Sequence, residues 1–299
     1  MRRIGSRLLL LGLLLVPGAA QAINCSWDII PTNMNFGIYS PFSASPVTAT
    51  SAFQFTCTPP ATATLILSRG ASATYNPRTM TRTVAPVYTL NYNLFMDAAN
   101  AIIWGDGTSG TQYLTFVSTP GAKTTGGTIY GTIPANLDVA PGTYTDTIQA
   151  TLDWGTGSSQ QFFTVTVTVT AECTVSTTAV NFGPYDPVSA NAATPKDSTG
   201  TVNVYCTAGT LANVSLDLGS HASGSTRRML GTTGDLLTYE IYRDAARTVV
   251  WNTVNRDSGT SASKTIPING GFIAHGRIPA GQDVRIGSYS DTVLVTVNY

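Results

Sequence analysis

The feature that most limits what this chain can fold into is an internal duplication whose two copies end differently. Cys25 to Cys57 encloses Asn35-Phe-Gly-Ile-Tyr39, and Cys173 to Cys206 encloses Asn181-Phe-Gly-Pro-Tyr185. Asn91 to Trp104 matches Thr238 to Trp251, each with an Asp-Ala-Ala turn at 97–99 and 244–246, and Gly131-Thr-Ile-Pro-Ala135 matches Gly276-Arg-Ile-Pro-Ala280. The offset stays between 145 and 149 residues, so the halves share one fold with few insertions. At the ends they part. Asp146-Thr-Ile-Gln-Ala-Thr-Leu-Asp-Trp154 is followed by a Gly-Ser turn and by Gln161-Phe-Phe-Thr-Val-Thr-Val-Thr-Val-Thr170, whereas Asp291-Thr-Val-Leu-Val-Thr-Val-Asn-Tyr299 has no such sequel.

Successive side chains of a strand point to opposite faces, so Phe163, Val165, Val167 and Val169 share one face and the threonines between them the other. The same rule puts Val293, Val295, Val297 and Tyr299 on one face of the last strand. Short apolar or Thr-rich runs alternate with Gly, Pro, Asn and Ser clusters, and no long segment repeats apolar residues at helical spacing. The fold class is all-β, two tandem β-sandwiches divided near Ala171-Glu172, with candidate strands at 52–57, 62–68, 87–96 and 143–154 and their equivalents. A five-residue connection lets 161–170 fold back on 143–154 as a hairpin and close the first sandwich. The second then lacks its final strand, leaving an edge and an apolar groove open to a strand of another chain.

Met1-Arg-Arg-Ile-Gly-Ser-Arg7, the apolar run Leu8 to Val16 and Ala20-Gln-Ala22 form a secretory signal peptide over residues 1–22. No later stretch reaches the roughly 20 apolar residues of a membrane-spanning helix. The whole chain carries 16 basic and 16 acidic residues, and loss of Arg2, Arg3 and Arg7 leaves the remainder slightly acidic. There is no basic field for nucleic acid or anionic lipid. Four cysteines in an exported chain, one pair per repeat, give disulfides Cys25–Cys57 and Cys173–Cys206, each stabilising by roughly 3–4 kcal/mol in the loop-entropy account. A four-thiolate metal site would need close-set pairs and reduced thiols.

Catalytic constellations are not apparent. His221 and His275 have no counterparts in the first half, and no G-x-S-x-G or H-E-x-x-H motif occurs. Gly105-Asp-Gly-Thr-Ser-Gly110 lacks the further carboxylates of a calcium loop and reads as a turn. The Asp-Ala-Ala pairs read as turns before core strands, and Asp146 and Asp291 as turn-holding acids. No nucleophile, base and orienting group can be assembled, so the expectation is a non-enzymatic protein with no cofactor and no metal.

Cys173-Thr-Val with Asn181-Phe-Gly, the second Cys, Tyr239-x-x-Tyr242-Arg-Asp-Ala-Ala-Arg247 and Gly287-Ser-Tyr-x-Asp-Thr-Val-Leu-Val-Thr-Val-Asn-Tyr299 resemble the spore coat protein U family, which includes subunits of archaic chaperone-usher pili. The resemblance covers the second half closely and the first half more loosely. It implies immunoglobulin-like, pilin-like domains, 23–171 adhesin-like and 172–299 a pilin domain. It also implies a groove held first by a periplasmic chaperone at an outer-membrane usher and then by the amino-terminal strand of the next pilin subunit. Only Ile23 and Asn24 would precede Cys25 after cleavage, too few to donate a strand. The chain is therefore expected to receive a strand but not to give one, as a tip subunit exposed at the cell surface.

Where the repeats diverge, loops of the first are more apolar. Phe42, Val84, Pro86 and Val139 are candidates for contact with an abiotic or host surface in attachment and biofilm formation. Two other readings are a structural spore-coat or extracellular matrix protein, and a secreted carbohydrate-binding module using Tyr39 or Phe42.

Overall fold

The computed structural model describes residues 22–117 and 125–299; the expected signal peptide lies outside these except for Ala22. The first half contains β1 (Asn24–Ile29), β2 (Met34–Tyr39), β3 (Val47–Thr58), β4 (Thr62–Leu67), β5 (Arg78–Arg82), β6 (Thr89–Phe95), β7 (Leu114–Val117), β8 (Thr125–Ile133), β9 (Gly142–Asp153) and β10 (Ser158–Val169). The second contains β11 (Cys173–Thr178), β12 (Lys196–Cys206), β13 (Leu211–Leu216), β14 (Arg227–Gly231), β15 (Leu236–Tyr242), β16 (Asp257–Thr260), β17 (Phe272–Ile278), β18 (Tyr289–Ser290) and β19 (Val295–Asn298). A single turn of 3₁₀ helix at Ile268–Gly270 is the one described departure from all-β structure.

In the first half the strands run in the order β1-β3-β8-β6-β5-β9-β10-β2, with β4 bridging β7 and β9. The second half gives β11-β12-β17-β15-β14-β18 and β16-β13-β19. Two separate apolar cores follow, one spanning Cys25 to Val169 and the other centred on Val202 to Ile278. The disulfides Cys25–Cys57 and Cys173–Cys206 join the first strand of each half to its neighbour.

The same polar skeleton holds both halves. Arg78 and Arg227 are fully buried. Arg78 donates to the carbonyls of Ser68 (3.1 Å) and Trp104 (2.6 Å), and Arg227 to those of Asp217 (3.1 Å) and Trp251 (2.7 Å). Asp146 and Asp291 take the hydroxyls of Tyr92 (2.6 Å) and Tyr239 (2.7 Å). Each also accepts a main-chain N–H from the loop before the buried arginine, Ala71 or Ser220, both at 3.0 Å. Those loops turn at Gly70 and Gly219, whose φ values of +66° and +81° favour glycine and whose Cβ would strike the Asp146 or Asp291 carboxylate. Buried polar groups are tolerated because each is partnered. Burial pulls the Arg78 guanidinium below its usual range and, with the Asp146 charge, pushes the Tyr92 phenol well above its own. Tyr92→Phe leaves a buried carboxylate oxygen without its donor, so a loss of about 1–3 kcal/mol in the stability of the first half is expected from denaturant melts.

The repeated Asp-Ala-Ala segments are turns. Asp97 accepts from the N–H of Ile102 (2.8 Å) and Asp244 from those of Thr248 (2.9 Å) and Val249 (2.7 Å), which holds both carboxyls below the usual range.

Candidate functional site: an open apolar groove in the second half

The two halves differ most where β10 lies. Ten residues of alternating pattern fix its faces, and β10 inserts between two strands of its own half. It runs antiparallel to β9, with Phe163 opposite Ile148 and Val169 opposite Gly142, and parallel to β2, with Val165 opposite Met34 and Val169 opposite Tyr39. Phe163, Val165, Val167 and Val169 are all buried in the first core. The hairpin was legible in the sequence; the parallel pairing with Met34–Tyr39 was not.

In the second half the corresponding walls stand with nothing described between them. Residues 180–185, the counterpart of β2, form no strand, because a strand exists only where a neighbour completes its ladder. The counterpart of β9 is reduced to β18 and β19, with β19 paired on one side only, to β13, through Val295 opposite Leu216. Between these walls runs a groove of about 1040 Å³. Leu237, Tyr239, Ile241, Ala274 and Ile278 floor it, Val180, Phe182 and Tyr185 line one wall, and Val293 and Val295 the other. Met34, Phe36, Tyr39, Ile148 and Ala150 are buried in the first half, whereas their counterparts Val180, Phe182, Tyr185, Val293 and Val295 are each left half-exposed. Ile286, 98% exposed, stands at the rim.

The four residues expected at the edge do not act alike. Val293 and Val295 line the groove; Val297 packs half-buried against the second core opposite Val214; Tyr299 lies beyond the last strand and is exposed. The alternation assigned faces correctly along the strand but could not show where the groove ends.

Two of the four surface-contact candidates, Phe42 and Val139, call for a correction. Ser40 Oγ donates to Glu172 Oε2 (2.6 Å) and Lys264 N to Asp138 Oδ1 (3.1 Å), so the β2–β3 loop and the segment before β9 face the second half. Lys264 also donates its ammonium to the Pro41 carbonyl and stands 5.9 Å over the Phe42 ring. Phe42 therefore lies in the seam between halves, and Val139, at 8% exposed, is core. Val84 and Pro86 are exposed, but their loop follows Arg82, which pairs with Tyr144, so it belongs to the same end. Tyr39 is buried with its hydroxyl donating to Pro134 O (2.9 Å) and accepting from Leu137 N (2.8 Å), which removes it as a sugar contact. Loop polarity marked divergence between the copies, and the divergence reflects the contact between halves. The opposite end of the first half is formed by residues 58–62, Val117 and 153–158, the last an Asp153–Ser158 hairpin.

Among the described residues no cluster of His, Cys, Asp or Glu is placed to hold a metal ion, and no helix is long and apolar enough to cross a membrane. His221 Nδ1 lies 3.1 Å from Asp291 Oδ1 at the loop that Asp291 secures.

The chain is 34% identical over 129 residues to Protein U of Myxococcus xanthus, covering 40% of this chain and 71% of that one. Its fold is similar to the CsuC-CsuE chaperone-tip adhesion subunit pre-assembly complex of the archaic Csu pili of Acinetobacter baumannii. The TM-score is 0.51 at 18% identity, over 92% of this chain and 100% of that one. The CupB6 tip adhesin of Pseudomonas aeruginosa aligns at TM-score 0.37 and 11% identity, over 92% and 94%. The sequence profile of the Spore Coat Protein U domain matches residues 11–151 and again 159–296, so the chain belongs to that family and carries its domain twice.

Proposed function

We propose that this chain is a non-enzymatic tip subunit of a chaperone-usher pilus, exported through the periplasm to the cell surface. Its groove takes a β-strand from a partner: first from a periplasmic chaperone, then at an outer-membrane usher from the next pilin subunit. The observation that carries this is the contrast between the copies. The slot that β10 fills in the first half is open in the second, with apolar counterparts of the wall residues at offsets of 145 and 146. On this reading β10 makes the first half self-complementing, and residues 23–171 and 172–299 are the two units. Burial of four apolar side chains in the open slot contributes on the order of 8 kcal/mol at about 2 kcal/mol each, an upper figure. The name of the Acinetobacter neighbour supports a tip location, and attachment to abiotic or host surfaces and biofilm formation are assigned to the end of the first half away from the groove. There Pro60 and Val117 are exposed, and neither Phe42 nor Val139 takes part.

Co-expression with a candidate chaperone is expected to raise the soluble yield of the full chain severalfold and to give a stable pair, with aggregation when the chain is made alone. Val293→Asp, in the groove wall, should abolish the pair, and Leu294→Asp, facing outward, should leave it intact. Equal yield with and without chaperone, and a pair indifferent to Val293→Asp, would instead favour a coat or matrix protein, the reading to which the description of the Spore Coat Protein U domain points.

A further inference from the structure

A second cavity, of about 580 Å³, opens on the flank of the first half between the β4–β5 loop and the Gly105–Gly110 turn. Arg69, Thr74, Tyr75, Asn76, Asp106 and Thr108 line it. Its size falls within the few hundred to about 1,000 Å³ usual for small-ligand sites, but its lining is polar where most such sites are apolar. An apolar ligand would leave these donors and acceptors without partners, at a cost; a polyhydroxylated one would satisfy them.

The cavity is held in shape. Asp106 Oδ1 accepts from the N–H (2.9 Å) and hydroxyl (2.6 Å) of Thr108. The Thr108 hydroxyl keeps the Asp106 carboxyl below the usual range, with a smaller contribution from the nearby Tyr75 hydroxyl. Beneath lies the buried Arg78 guanidinium, 5.0 Å from the Tyr75 ring centre. Arg78 is bonded to Asn93 Oδ1 at 2.7 Å, and Asn93 Nδ2 reaches Asn76 Oδ1 at 3.4 Å. In the second half the buried arginine meets a carboxylate, Glu240, in place of Asn93.

The duplication separates what the fold needs from what it does not. Arg78, Trp104, Asp146 and Gly70 recur as Arg227, Trp251, Asp291 and Gly219. At the same offsets Arg69, Tyr75, Asn76 and Asp106 become Leu218, Gly224, Ser225 and Thr253. The second sandwich thus builds the same scaffold without a single one of these four side chains. Their presence in the first half answers to something other than folding. An aromatic ring beside a guanidinium, an amide and a carboxylate, all planar hydrogen-bonding groups, matches a pyranose, whose C–H face packs on a ring while adjacent hydroxyls bind in pairs.

We infer that this cavity is a saccharide-binding site of the first half, separate from the strand-accepting groove and from the seam. The full chain would be tested on an array of neutral hexoses, N-acetylhexosamines and uronic or sialic acids, followed by calorimetric titration with the sugars retained. Saturable binding at millimolar or lower concentration is expected, and the array arm that binds identifies a neutral or an acidic sugar. Tyr75→Ala should weaken it about tenfold or more, the loss of roughly 1.4 kcal/mol. Arg69→Ala should do so as well. The Arg69 side chain is exposed and, among the described residues, bonds to Ala73 O (3.0 Å) alone, so that variant keeps the fold intact. Absence of binding to every sugar, or binding that neither substitution alters, overturns the assignment, and neither result bears on strand capture by the groove.

Discussion

Replacing Val165 and Val167 together by Asp is expected to unfold the first half of the molecule while the second keeps its core. Both side chains are essentially inaccessible, 0% and 1% exposed, and lie between β9 and β2 in the middle of the sandwich. A carboxylate there has no partner to compensate it, and the penalty is several kcal/mol per site even after relaxation. Two such sites, added to the lost burial of two valines at about 2 kcal/mol each, consume most of the 5–15 kcal/mol by which a domain is stable. The Cys25–Cys57 bridge cannot compensate, since it ties β1 to β3 at the far side of the sheet order. The second half should survive, because none of the residues in its core belongs to β10. Amide hydrogen exchange on the full chain reads this directly: protection lost across β2, β9 and β10, and retained across β12, β15 and β17. Thr164→Asp with Thr166→Asp, on the outward face of the same strand, should shift stability by no more than about 0.5 kcal/mol each. A Val165, Val167 double variant that melts like the parent would mean that β10 is not what seals this sandwich.

The difference between the two faces of β10 was legible in the sequence because a period of two assigns faces without knowledge of neighbours. The disulfides were legible because the repeat placed one cysteine pair in each copy. What could not be read were relations between distant segments. Asn35-Phe-Gly-Ile-Tyr39 looks like a turn-rich stretch, and becomes a strand only because β10 lies parallel beside it; Asn181-Phe-Gly-Pro-Tyr185, with no such neighbour, does not. Phe42 and Val139 carry the composition of a binding loop, yet the contact of Lys264 with Pro41 and the Phe42 ring puts Phe42 between the halves, and Val139 packs into the first core. Arg78 and Arg227 gave no signal at all. A charged residue in a Thr-rich strand suggests a solvated face, and only the convergence of two main-chain carbonyls on each guanidinium, with the side chain of Asn93 or Glu240 beside them, explains its burial.

If the open groove is a strand site, the strand that seals the first half should also seal the second when supplied from outside. A peptide of residues 160–170 is expected to bind the full chain and raise the melting temperature of the second half. The walls are equivalent at each contact that positions β10. Val165 lies opposite Asp146 and Met34, whose counterparts are Asp291 and Val180; Val169 lies opposite Gly142 and Tyr39, whose counterparts are Gly287 and Tyr185. The peptide should therefore run antiparallel to 287–293 and parallel to 180–185, with Phe163, Val165, Val167 and Val169 inward. The chain's own β10 is not free to do this, because it is committed to β9 and β2 and leads through Glu172, itself bonded to Ser40 and Thr207, directly into β11. At a peptide concentration a hundredfold above its dissociation constant the second half gains about 2.7 kcal/mol. A peptide of the same length in which Val165, Val167 and Val169 are exchanged with Thr164, Thr166 and Thr168 presents hydroxyls to the groove at unchanged composition, and should give no shift. Val180, Phe182 and Val293, half-exposed in the open groove, should become protected in the complex. Equal stabilisation by the exchanged peptide, or none by either, would show that the groove is not shaped for a strand, and the pilus assignment would lose its structural basis.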